Sequence, residues 1–62
     1  MNDAQKHVQA AMRALETALV SLDEASACVR AQGLKDFDAR ALSITITNVE
    51  TAELWARRAL HS

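Results

Sequence analysis

With 62 residues, 50% of them hydrophobic, and a formal net charge of −1, the chain lacks the basic excess that a grip on a nucleic-acid polymer requires. Cys28 has no second cysteine to bond, and His7, His61 and Cys28 show none of the short spacings of zinc ligands, so neither kind of staple supplements so small a core. No apolar run approaches bilayer-spanning length, and MNDAQKH lacks the charged start and apolar stretch of a leader, which predicts a soluble, cytoplasmic protein with no membrane partner.

Absence of proline, a single glycine and abundant Ala, Leu, Glu, Arg and Gln predict an all-α fold. The first helix is expected over about residues 3–32, with Asn2 or Asp3 as its cap and Gly33 as its stop. Val8, Met12, Leu15, Leu19, Leu22, Ser26 and Val29 step by four and three in alternation, the repeat of a left-handed helix pair. Ala11, Ala14, Ala18, Ala25 and Ala31 flank that seam and would let a neighbouring helix approach. The break at 33–37 is short enough to turn the chain back on itself, giving one antiparallel two-helix hairpin domain over residues 1–62. Asp36 or Asp38 is placed to cap the second helix, about residues 38–61, with Phe37 stapling its start. Arg57, Arg58 and His61 fall in its last turns, where cations favour the exposed carbonyls.

Wound at about 100° per residue, the second helix carries three faces. Leu42, Ile46, Val49, Ala56 and Leu60 make the stripe that packs on the first helix, and Glu53 falls within it, so its carboxylate must reach the rim or pair with Arg13 or Lys6. Ile44, Ala52, Trp55 and Ala59 make a second apolar stripe, for which a lone hairpin has no use; the expectation is an oligomer interface. Arg40, Ser43, Thr47, Thr51 and Arg58 align guanidinium and hydroxyl donors along much of the remaining surface. Arg suits phosphate because its planar fork donates two parallel, charge-assisted hydrogen bonds. Exposed Arg beside Glu50 and Glu53 equally suits weak surface ion pairs, and Trp55 is either an interface anchor or a base-stacking platform. The alternation in Ile44-Thr45-Ile46-Thr47 is strand-like, yet no partner strand is at hand and the helical stripes run through it.

Catalytic constellations are missing. Nothing in the spacing brings Cys28 to a histidine and an orienting third group, Asp23-Glu24 and Asp36 with Asp38 read as solvated or capping acids, and no glycine-rich phosphate loop is present. The chain is expected to be no enzyme and to need no metal or other cofactor.

From Arg40 to Leu60 the pattern R-x-L-S-I-x-x-T-x-V-E followed by A-x-L-W-A-x-R-A-L resembles the hairpin domain of phage anti-CBASS cyclic-nucleotide sponges and their anti-Thoeris relatives. The match covers about a third of the chain, and the first thirty residues fall outside it. The resemblance implies small helical protomers in symmetric homo-oligomers, often hexamers, in the cytoplasm of an infected bacterial host. It implies that a cyclic di- or trinucleotide, or a cyclic ADP-ribose derivative, is enclosed between subunits and sequestered uncleaved, which serves immune evasion by starving a defence effector. On matching positions, Arg40 and Thr47 become the leading phosphate contacts, with Ser43 and Arg58 beside them, and Trp55 an assembly residue. The chain has no tyrosine, so any base stacking of that family falls to His7, Arg30 or Phe37, or that pocket is lost. The alternative is a helical protein–protein interaction module without a small-molecule ligand, built on the same two apolar stripes.

Overall fold

A computed structural model describes residues 2–35 and 38–61, and within them the chain is two helices, α1 (Asp3–Gln32) and α2 (Ala39–His61), packed against each other as a hairpin. The expected antiparallel all-α architecture is what the structure shows. The strand-like Ile44–Thr47 segment is helical, since the 3.6-residue stripes flanking it offer burial that a lone strand could not.

Each end of α1 is closed by the chemistry of the adjoining residues. Asn2 Oδ1 accepts from the Gln5 backbone N–H at 2.7 Å while Gln5 Oε1 accepts from the Asn2 N–H at 3.0 Å, a reciprocal capping box. Of the two candidate caps, Asn2 therefore fills the role, and Asp3 sits in the first turn, where its charge meets the positive end of the helix dipole. At the far end Gly33 adopts φ 59°, ψ 41°, and its N–H donates to the Val29 carbonyl at 3.0 Å. This left-handed geometry costs glycine little and any residue with a Cβ more. Asp38 Oδ1 accepts from the Ala41 N–H at 2.9 Å and so caps α2. Asp36 and the Phe37 staple lie outside the described residues.

Between the helices, the half-buried positions of α1 include Val8, Met12, Leu15, Leu19, Leu22, Ser26 and Val29, and those of α2 are Ile46, Val49, Glu53, Ala56 and Leu60, with Leu42 the most buried. Both sets keep the alternating step of four and three, so one heptad seam runs the length of the hairpin. Among the flanking alanines, Ala18 and Ala25 are half-buried and Ala11, Ala14 and Ala31 are exposed. Glu53 forms no ion pair among the described residues, and no buried side-chain oxygen is left unsatisfied, so its carboxylate takes the route to the solvent rim.

The result is a rod. Its extents are 46 × 15 × 13 Å, the long dimension matching the ~45 Å expected of 30 helical residues. Its accessible surface is 4835 Å², whereas a folded monomer of 6.8 kDa typically exposes about 3,950 Å². That surplus of roughly 900 Å² is comparable to what one partner contributes to a standard protein interface. Among the described residues only Leu42 is buried, at 9% exposure, which leaves the hairpin with little core of its own.

Candidate functional site

The face of α2 turned away from α1 holds the features that the seam does not use. Relative to the seam, Arg40, Ile44, Thr47, Thr51, Trp55 and Arg58 lie within about 40° of a line on the opposite side of the helix. All six are exposed, and the large apolar ones remain so in the single chain: Ile44 at 49%, Trp55 at 60%. Ala52 and Ala59 border this row on the side of Ile44 and Trp55, and Ser43 borders it on the side of Arg40 and Thr47; all three are exposed. Every residue expected to bind ligand or to join subunits thus sits on one continuous surface, with an apolar edge and a polar edge.

What one chain brings together is narrower than the expected site. Arg40, Ser43 and Thr47 are neighbours at spacings of three and four, and they form one patch near the start of α2. Among the described residues the Ser43 and Thr47 hydroxyls donate to no acceptor and Arg40 makes no ion pair, so all three are available. Arg58 stands 18 residues further along the helix from Arg40, about 27 Å away at 1.5 Å per residue. It cannot reach the same phosphate within one copy. Nor is there a cavity among the described residues that would enclose a small molecule.

Two contacts modify the roles read from sequence. The Arg58 guanidinium lies over the Trp55 ring, 4.9 Å from its centroid, a cation–π arrangement that fixes the end of the row. Thr51 Oγ1 donates to the Thr47 carbonyl at 3.0 Å, as Thr45 Oγ1 does to the Ala41 carbonyl at 2.9 Å, so these hydroxyls are turned back onto their own helix. The Trp55–Arg58 stacking was not anticipated, although the spacing of three residues places such side chains side by side on a helix. Leu54, 47% exposed beside the polar edge, and Val20, 59% exposed on α1, are further apolar surface outside the two apolar stripes of α2.

Electrostatically the outer face of α2 is cationic at both ends, with Arg40 and Arg58 bracketing the uncharged row of Ile44, Thr47, Thr51 and Trp55, and exposed Glu50 puts one negative charge on the polar edge that Ser43 shares. Among the described residues no three His, Cys, Asp or Glu side chains gather at metal-binding distance. The exposed Cys28 thiol is on α1, away from this face. Among the described residues no helix is long and apolar enough to cross a membrane. Compared with known proteins, the chain matches no family model, no curated protein and no solved structure.

Proposed function

We propose that this chain is a non-enzymatic sponge, a self-associating helical hairpin that holds a cyclic di- or trinucleotide or a cyclic ADP-ribose derivative between copies of itself. In this reading it works in the cytoplasm of an infected bacterial host, where sequestering the messenger silences a defence effector. One observation carries the reading. A patch of phosphate donors unengaged among the described residues, Arg40, Ser43 and Thr47, adjoins an exposed apolar edge with Ile44 and Trp55, and the described residues of one chain enclose no cavity. The apolar edge and the surplus surface favour association, and association turns an open row of donors into a walled site. The likeness of Arg40–Leu60 to the sponge hairpin names the ligand class.

Calorimetric titration with cyclic di-AMP, a cyclic triadenylate and cyclic ADP-ribose tests it, followed by heat denaturation and recovery of the ligand. Uptake of at least one messenger, returned intact, is the expected result. Absence of uptake for all three overturns the proposal, and recovery of a hydrolysed product overturns its non-enzymatic part.

The second reading, a helical module that docks a protein and no small molecule, draws on the Trp55–Arg58 stack, because one of the four expected phosphate contacts is already engaged within the chain. The two readings separate at Arg40→Ala. The sponge loses ligand while assembly survives; the module keeps its partner.

A further inference from the structure

The outer row of α2 reads almost the same from either end. About a midpoint at position 49, Arg40 mirrors Arg58, Thr47 mirrors Thr51, and Ile44 mirrors Trp55 to within one residue. Under a two-fold axis, the symmetry of an isologous contact, such a row sets apolar against apolar and hydroxyl against hydroxyl, and brings the arginines together as like charges. We infer that two copies pair antiparallel through the outer faces of α2, and that this pairing completes two identical anion sites, each made of Arg40, Ser43 and Thr47 of one copy and Arg58 of the other. The inference rests on the sponge reading for the identity of the anion, and on the row itself for the pairing.

The edges of the row decide the arrangement. With the two-fold axis normal to the plane of the paired helices, a residue on one edge meets the same edge of the second copy at mirrored height. The apolar edges then meet, Ile44 of each copy against Trp55 of the other, and they cover the 49% and 60% exposed side chains that the hairpin leaves in solvent. On the polar edge Arg40 comes opposite Arg58 of the second copy. The split that separates these two arginines by about 27 Å within one chain is thereby removed. A parallel pairing would set Arg40 against Arg40 and leave Arg58 remote from Ser43 and Thr47.

Two guanidinium groups brought face to face repel each other until an anion lies between them. The pair is consequently weak when empty and strengthened by a phosphate group in each site, and assembly and ligand uptake are linked. The stacking of Arg58 on Trp55 at 4.9 Å holds one guanidinium at the end of the row before the second copy arrives. Two ligands per pair, one per chain, is the resulting stoichiometry.

The test uses charge reversal and register. In sedimentation at matched ionic strength, inorganic pyrophosphate should strengthen pairing of the wild-type chain relative to chloride. Arg40→Glu, an exposed acid in the first turn of α2 that helix dipoles favour, replaces two Arg–Arg contacts with two Glu–Arg contacts. It should pair on the order of tenfold more tightly than wild type without any anion, and pyrophosphate should no longer help. Arg40→Glu with Arg58→Glu should return to weak pairing, and circular dichroism confirms that each variant stays helical. For register, Thr47→Cys and Thr51→Cys chains, each carrying Cys28→Ser, are mixed and oxidised, and the mixed disulfide should dominate over the two homodimers. Arg40→Glu no tighter than wild type, or homodimers dominating the cross-linking, overturns the inference. Cyclic di-AMP uptake alongside that failure leaves the sponge and removes this pairing. The expected charge-reversal and cross-linking results without uptake of any messenger support the pairing and remove the sponge.

Discussion

The two helices of this hairpin are unequal in what they ask of their surroundings. α1 is amphipathic in the ordinary sense: one heptad seam turned toward its partner, and an outward surface of exposed Lys6, Arg13, Thr17 and Glu24 on which Val20 is the one large apolar side chain. α2 has the same seam on one side and, on the other, Ile44, Leu54 and Trp55 exposed among arginines and hydroxyls. A helix content with one partner needs one apolar stripe; a second stripe on the opposite side commits surface to something beyond the hairpin. The lesson is that the fold is written into α1 and half of α2, and the proposed binding surface takes up the other half of α2.

The contrast can be broken at its strongest point, the seam. Leu42→Ala removes the most buried side chain and should cost about 2–3 kcal/mol, enough to lose most of the helical signal in thermal melts of so small a domain. Trp55→Ala works on the opposite face. Its helical signal at a fixed, associated concentration should fall only as far as association falls, and sedimentation should show the assembly lost, since aromatic anchors carry much of an interface. A loss of helix in the dissociated Trp55→Ala chain equal to that of Leu42→Ala would erase the distinction between the faces. Glu53→Leu sharpens it: an apolar side chain on the seam should raise stability by about 1 kcal/mol in denaturant titrations while leaving ligand uptake unchanged. The smallest effects belong to the caps. Asn2→Ala and Asp38→Ala should each cost about 1 kcal/mol or less, read as a lower melting midpoint, by freeing backbone donors at the two helix starts.

Much of this architecture is legible in the residues themselves. The alternating seam, the left-handed Gly33 stop and the helix bounds follow from apolar spacing and from the chemistry of chain ends, which act over a few residues and leave local signatures. The choice of Asn2 over Asp3 as cap also had a local cue, since Gln5 stands three positions after Asn2 and completes a capping box. The candidate site was legible as a set of residues and not as a geometry. Helical periodicity puts Arg40 and Arg58 on one line, but the 1.5 Å rise multiplies their 18-residue separation into a distance that no single phosphate bridges within one chain. The Trp55–Arg58 stack depends on side-chain torsions that spacing permits without requiring.

The brief turn after Gly33 has a kinetic consequence. Helices joined by so few residues find each other through contacts that grow outward from the bend, so a newly made chain should close in microseconds to milliseconds. The proposed pairing with another copy would be a second-order encounter, and its half-time would shorten only as the chain accumulates. Binding capacity would therefore lag behind synthesis at low expression and then rise more steeply than the amount of polypeptide, a threshold set by dose.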